Sequence, residues 1–519
     1  MSGPVEKIVI VGGGSAGWLT AGVIAAEHRT GPGSRLSVTL IESPDVNPIG
    51  VGEGTWPTMR DTLRRIDVSE TDFIRECDAS FKQGSQFAHW VTGTEGDSYF
   101  HPFVLPQGYL EANLVARWIE RHADRPFAEQ VSFQPHLCKH GKAPKQVTTP
   151  EFAAVANYAY HLDAGKFGQF LQRHCTETLG VGWLRDNVLR INAADNGDIV
   201  SLETETGGAL EGDLFIDCSG FAAILLGKHY RVPFVSRKDV LFNDAAVALQ
   251  VPYADGGSPI ASHTISTAQH AGWIWDIGLP TRRGVGHVYS SAHTTAEAAE
   301  QALYAYVERT GGGPVGRLGA ARRIAINPGY RETFWYRNCV AVGLSAGFIE
   351  PLEASALALI ELSAAMISDE MPATRDLMDI VARRFNERFR YRWDRVIDFL
   401  KLHYALTKRE DSAFWIDNRS PESIPAHLTE LLSLWRHRPP SRHDFIQAEE
   451  IFPSASYQYV LYGMGFRQDP GSGTRRSDQP EQADAHFAER ERLTGKMLAG
   501  LPTNRELIEH VRRYGLQRI

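Results

Sequence analysis

Lys7 to Val11 reads KIVIV, a β-branched run that stops in Gly12-Gly13-Gly14-Ser15-Ala16-Gly17. A helical apolar pattern follows over Trp18–Ala26, and a second strand, SVTLIE, ends at Glu42. Strand, glycine turn, helix and strand in this order predict a right-handed βαβ unit in a parallel sheet. The Gly12-x-Gly14-x-x-Gly17 spacing carries little alone, but its place between strand and helix gives each glycine a task. The first permits the turn, the second lets backbone approach a pyrophosphate, and the third allows close helix–strand packing. The helix N-terminus then offers amide donors and a positive dipole end to phosphates. Glu42, 25 residues after Gly17, falls near where a ribose-binding acid is expected. The motif implies a dinucleotide without naming it.

The rest of the chain limits the class further. At 519 residues it has room for about three domain-sized units, or one large α/β enzyme with a cap. With 43% apolar residues it can build a large core, and a net charge of −8 without a long basic run argues against nucleic acid as partner. No apolar stretch predicts a membrane span, and the start lacks the pattern of a signal peptide. Five scattered cysteines (Cys77, Cys138, Cys175, Cys218 and Cys339) without a C-x-x-C suit a reduced, cytoplasmic enzyme with no metal site. Further strands are expected at 212–221 (GDLFIDCSGF) and 338–348 (NCVAVGLSAGF). Beyond about residue 355 the spacing turns helical, and 469–486 reads as an exposed loop. The expected fold is mixed α/β (α+β), with a body over 1–355 and a mainly helical part over 356–519. No second dinucleotide fingerprint is seen, since Gly311-Gly312-Gly313 follows a helix-like segment. If the dinucleotide is a flavin, it must arrive reduced from elsewhere, or react with substrate or oxygen.

Four more islands stand out: GVGEGTWPTM at 50–59, SFKQGSQFAHW at 80–90, GWIWDIGLP at 272–280 and GFIEPLEAS at 347–355. With the N-terminal glycines, they make the chain resemble the flavin-dependent tryptophan/indole halogenase family over nearly its whole length. The resemblance implies a body like that of the single-component flavin hydroxylases with an added helical pyramid. It also implies reduced FAD supplied in trans by an NAD(P)H-dependent flavin reductase, and a halide ion oxidised to hypohalous acid. FAD would be held by Gly12, Gly14, Ser15, Ala16, Gly17, Glu42, Val51, Val188, Leu344 and Leu357.

By the same resemblance Lys82 is the catalytic lysine, although the ordinary reading of one lysine is a surface side chain. A partly desolvated ammonium can hydrogen-bond hypohalous acid, or lose a proton and form a haloamine. Glu353 matches the second acid of the family motif, and a carboxylate there can take the ring proton. The ordinary reading of Glu350-Pro-Leu-Glu353 is a helix N-terminus with favourably placed acids. Ser355 and Ala356 match the halide positions, where relatives commonly carry Thr-Gly. Trp273 and Trp275 match the W-x-W-x-I-P signature, with Gly278 replacing proline, and imply a barrier between flavin and organic substrate. Alternating tryptophans in a strand are also ordinary core. His101, Phe103 and Tyr457 match substrate-side aromatics, without a clear match for an amino-acid clamp. The function implied is two-component halogenation of an electron-rich arene of indole type, with bromide preferred over chloride. An aromatic flavin monooxygenase and a non-catalytic flavin protein are the alternatives. A homodimer is the assembly considered.

Overall fold

The computed structural model describes residues 3–30, 33–46, 52–313, 318–447, 449–469 and 480–518. The chain forms two compact units, each assembled from three segments: 1–78, 162–237 and 327–393 in the first, and 79–161, 238–326 and 394–519 in the second. This grouping does not follow a single boundary near residue 355. The named elements from Ser355 onward are nevertheless all helical among the described residues.

In the first unit a six-stranded sheet runs in the order Trp335–Tyr336, Cys339–Ala341, Leu214–Asp217, Lys7–Val11, Ser37–Glu42 and Gly182–Arg185. All pairs are parallel except the two-residue edge strand, which runs antiparallel. Ile8, Val9, Ile10 and Val11 are buried, as a parallel strand covered on both faces requires. The helix after the glycine turn spans Ser15–His28, longer than its apolar core because its first turn starts inside the glycine motif. The strand expected over 212–221 is only Leu214–Asp217. Asp217 ends it by accepting the N–H groups of Ser219 (3.1 Å), Leu225 and Leu226 (both 2.9 Å), which folds the chain back into a turn. The run over 338–348 is likewise divided into Cys339–Ala341, a turn over Gly343–Ser345, and Gly347–Phe348 in another sheet.

The second unit is built on a seven-stranded sheet ordered Arg322–Ala325, Ala245–Pro252, Arg282–Tyr289, Gly272–Gly278, Thr264–Gln269, Gly84–Ala88 and Ser98–Pro102. Only the pair Thr264–Gln269 with Gly84–Ala88 is parallel. On one face Val247, Leu249, Ile274 and Val285 pack with Leu303 and Val307 of the helix Ala296–Arg309. The strand period of two turns Trp273 and Trp275 to the other face. There Trp273 meets Trp90 (6.4 Å between ring centres), which also contacts Tyr404 and Trp415. Gly278 sits where a β-carbon would be 3.0 Å from Ile260 and 3.1 Å from the backbone nitrogen of Ala261, so glycine suits this end of the strand.

The helical spacing expected beyond about residue 355 is met by Ser355–Asp369 and Arg375–Ala405. The expected loop at 469–486 is corrected in part: residues 470–479 lie outside those described, but Pro480–Gly500 is helix. Proline is favourable in a first helical turn, and Asp484 is held by the Nε of Arg117 at 2.7 Å.

Trp275 lies across from Gly286, whose absent β-carbon would fall 2.1 Å from the indole ring. Gly286→Ala should therefore destabilise the protein by about 1–3 kcal/mol through overpacking. Urea denaturation followed by tryptophan fluorescence checks it. Gly284→Ala, where the nearest atom would be 3.1 Å away, is the milder comparison.

Candidate active site

The first unit places the glycine turn where a nucleotide can approach. Gly12 has φ +119°, and a β-carbon there would lie 2.2 Å from the carbonyl oxygen of Cys218. A β-carbon at Gly17 would lie 1.9 Å from the carbonyl oxygen of Gly12. Gly14, by contrast, has no described atom within 4 Å of its missing side chain and immediately precedes the Ser15–His28 helix. Close contact behind the turn and open space in front of it fit a pyrophosphate on the helix N-terminus. Glu42 leans over Gly13, whose β-carbon would meet its Oε2, and it accepts a hydrogen bond from Trp183 Nε1 (2.9 Å). Burial pushes the Glu42 carboxyl above its ordinary range, partly offset by that bond. Ser43 donates to Asn187 Oδ1 (2.7 Å), which brings Val188 beside the end of this strand. Val51 lies outside the described residues.

Leu344 is drawn to the same place. Gly343, with φ +73°, turns so tightly against the helix start that a β-carbon would lie 2.8 Å from that of Ala16. A few residues on, Ala354 takes a left-handed conformation (φ 54°) and opens the helix carrying Ser355, Ala356 and Leu357. Glu353 just before it is 1% exposed, and its carbonyl accepts from Trp56 Nε1 at 2.7 Å. The backbone on both sides of the Glu353 carboxyl is thus fixed. The residues of this unit fit a bound FAD at the turn and an anion at the second helix start.

The second unit holds Lys82. It is not a surface lysine: it is 1% exposed, and its Nζ lies 5.3 Å from the centre of the Phe103 ring. Its strand, Ser80–Lys82, pairs antiparallel with Ala159–His161. His161 is fully buried, its Nε2 hydrogen-bonded to Thr264 Oγ1 (2.8 Å). Burial first, then the nearby charge of Lys82, holds its imidazole well below the ordinary range. His101 is buried and its ring contacts Phe399 (5.5 Å). Phe399 also contacts Tyr457 (4.8 Å), so His101 and Tyr457 belong to one aromatic cluster without touching through each other. Tyr457 is 1% exposed, enclosed by Phe445 and Trp435 as well, and is packed as core. Trp273 is fully buried and Trp275 half-buried, 6.4 Å apart.

Several groups escaped the sequence reading. Glu361, in the otherwise apolar run ALALIELSAAM, is buried and accepts from Thr58 Oγ1 (2.8 Å); burial pushes its carboxyl up to about 8. Its sequence signal was an acid on the apolar side of a helix. Glu53, half-buried in the strand Gly52–Gly54, is raised by burial to about 7. Among the described residues no three His, Cys, Asp or Glu side chains are arranged to hold a metal, and no helix is long and apolar enough to cross a membrane.

A glycine turn between the first strand of a parallel sheet and the helix that follows fits a dinucleotide-binding enzyme. A sequence model described as tryptophan halogenase matches residues 7–476. The tryptophan 6-halogenase SttH of Streptomyces toxytricini is 33% identical over 94% of this chain and 93% of its own. The tryptophan 7-halogenase RebH of Lentzea aerocolonigenes is 30% identical over 98% and 99%. The crystal structure of a tryptophan halogenase from Shewanella frigidimarina NCIMB 400 superposes with a TM-score of 0.94 at 49% identity, covering 99% of each chain. The chain belongs to the tryptophan halogenase family, whose members depend on FAD, halide and a separate flavin reductase.

The raised carboxyl of Glu361 has a consequence for stability. Its folded-state value near 8 exceeds the ordinary 4.5, so between these values the folded chain holds a proton that the unfolded chain releases. Its contribution therefore falls as pH rises through this window, by at most about 1.4 kcal/mol per pH unit. Glu361→Gln keeps an acceptor for Thr58 and removes the titration. The variant should gain on the wild type steadily from pH 5 to pH 8 in chemical denaturation; a difference independent of pH would show an ordinary carboxyl.

Proposed function

We propose that this halogenase acts on an electron-rich arene of indole type, with Lys82 presenting the halogen and Glu353 receiving the ring proton. The observation that carries the reading is the burial of Lys82 against Phe103. A desolvated ammonium is costly to maintain, and such groups concentrate where chemistry uses them. Family membership puts halogenation ahead of the aromatic hydroxylase and the non-catalytic flavin protein.

Gly12, Gly14, Ser15, Ala16 and Gly17 would hold the FAD pyrophosphate and Glu42 the ribose, with Val51, Val188, Leu344 and Leu357 completing the site. Bound in its reduced form, FAD supplies the activation of dioxygen that oxidises halide to hypohalous acid. Ser355 and Ala356 hold the halide at a helix start, where amide groups and the positive dipole end favour an anion. Lys82 donates a hydrogen bond to hypohalous acid, or as the free amine forms a nitrogen–halogen bond while water leaves. The halogen passes to a ring carbon, and the Glu353 carboxylate takes the proton from the arenium. His101 and Phe103 flank the ring, Tyr457 stands behind His101 across Phe399, and Trp273 and Trp275 keep the arene from the flavin. Buried, unpaired cysteines suit work in a reducing cytoplasm, and the assembly we propose is a homodimer.

Lys82→Ala should lower arene halogenation by about a hundredfold or more while flavin oxidation and hypohalous acid formation continue. Near-wild-type halogenation in the presence of catalase and a hypohalite scavenger would remove Lys82 from the role. Glu353→Gln should slow product formation by about 10²-fold with FAD affinity unchanged.

Halide and substrate choice follow from the departures. The added methyl of Ala356 takes space and limits backbone freedom where relatives carry glycine. Bromide is more easily oxidised and less strongly hydrated than chloride, so a site that orients halide poorly loses chloride first. The sequence has no clear match for a clamp on the amino-acid zwitterion, and each charge-assisted bond missing there would cost tryptophan roughly 1.5–3 kcal/mol. In competition at equal concentrations, bromination should exceed chlorination and indole should react at least as well as tryptophan. Predominant chlorination would refute the first half, and a clear preference for tryptophan with one ring position substituted the second.

A further inference from the structure

We propose that Gln134 is a positioning residue that fixes Phe103 relative to Lys82 and so sets which ring carbon receives the halogen. This rests on the roles of Lys82 and Phe103 proposed above.

The strand Ser98–Pro102 ends at a proline, which has no N–H, and its ladder with Gly84–Ala88 stops at the pair Gly84 and Pro102. Phe103 is the first residue beyond that ladder. The side chain of Gln134 takes over there. Its Oε1 accepts the N–H groups of both Phe103 (2.8 Å) and Val104 (2.9 Å). Its Nε2 donates to the carbonyl of Asn157 (2.6 Å) and to Gln83 Oε1 (3.4 Å). The amide orientation follows from its neighbours, since a flipped Gln134 would set its NH2 against two N–H donors. Asn157 closes the loop by donating its Nδ2 to the carbonyl of Phe103 at 3.0 Å. Phe103 is therefore held at both ends of its own backbone.

The same frame grips the lysine. Gln83 directly follows Lys82 and is fully buried. Its N–H donates to the carbonyl of Ser262 (2.7 Å), its side chain donates to the carbonyl of Lys142 (2.7 Å), and its own carbonyl is 3.3 Å from the N–H of Phe103. Gln134 thus links the backbone beneath the amine to the backbone beneath the ring, and the 5.3 Å between Lys82 Nζ and Phe103 becomes a fixed dimension. An arene lying against Phe103 then presents one edge to Lys82. Loosening the frame lets the arene rock, and neighbouring carbons compete for the same electrophile. A displacement of about 1 Å suffices to lower a rate by about a hundredfold.

The test uses the full chain with FAD, NADH, a separate flavin reductase and bromide, over tryptophan and indole. Gln134→Leu, which takes the acceptor from the Val104 N–H and leaves the Phe103 N–H only the Gln83 carbonyl at 3.3 Å, should raise KM for the arene, lower kcat by about tenfold to a hundredfold and add a second regioisomer. More hypobromous acid should escape to a scavenger per flavin oxidised. Gln134→Glu keeps an acceptor for the Phe103 and Val104 N–H groups but loses the donor to Asn157 and Gln83, so its regioisomer ratio and KM should fall between those of Gln134→Leu and the wild type. Asn157→Ala, which removes the donor to the Phe103 carbonyl, should also add the second regioisomer and serves if Gln134→Leu does not fold. A wild-type product pattern and KM in whichever of these two variants folds would overturn the proposal. Absence of any halogenated arene from the wild type would instead overturn the reading of Lys82, and this proposal with it.

Discussion

The first unit depends on a near collision. The Gly12 carbonyl occupies the space of a Gly17 side chain, and the Cys218 carbonyl that of a Gly12 side chain. The Lys7–Val11 strand, the turn and the Ser15–His28 helix can meet at that distance only because both β-carbons are missing. From this contact follow the position of the helix start, the place of Glu42 over Gly13, and the seat against which the Gly343 turn packs. A methyl at either glycine would therefore move these elements together.

The buried titratable groups obey a different constraint, which is the cost of removing charge from water. Lys82, Glu353, Glu361 and His161 are all buried, and each is provided for by its surroundings. His161 is held neutral and bonded to Thr264, and Glu361 is held protonated and bonded to Thr58. A neutral His161 lowers the electrostatic cost of burying Lys82 nearby. The left-handed Ala354 adds backbone strain between Glu353 and the helix that follows, of the kind that persists where the fold over-determines a position.

What the sequence made legible was local. A strand, three glycines and a helix are adjacent in the chain, so spacing alone predicted their union. Alternation placed Trp273 and Trp275 on one face, and 3.6-residue spacing announced the helix Arg375–Ala405. Motifs also pointed to Lys82, yet not to its burial, because the strand that covers it begins 77 residues later at Ala159. Gln134 was invisible for the same reason. Its partners lie 23, 31 and 51 residues away, and a lone glutamine carries no spacing signal. The strand at 212–221 was overextended because apolar content persists past the point where Asp217 captures backbone N–H groups and bends the chain, and that at 338–348 because it persists through the Gly343–Ser345 turn.

Trp273 shows why core and function resist separation here. Its ring is sealed in an aromatic layer with Trp90, and through it with Tyr404 and Trp415. Truncating such a side chain costs about 3–5 kcal/mol, a large fraction of the stability of a domain. A barrier between an oxidant and an arene must neither open nor yield to a small displacement, and close-packed aromatic core is the protein material with that stiffness. The proposed barrier and the observed core therefore place the same demand on this residue. Rigidity at Trp273 is available because the layer behind it would be packed whether or not an arene were ever bound.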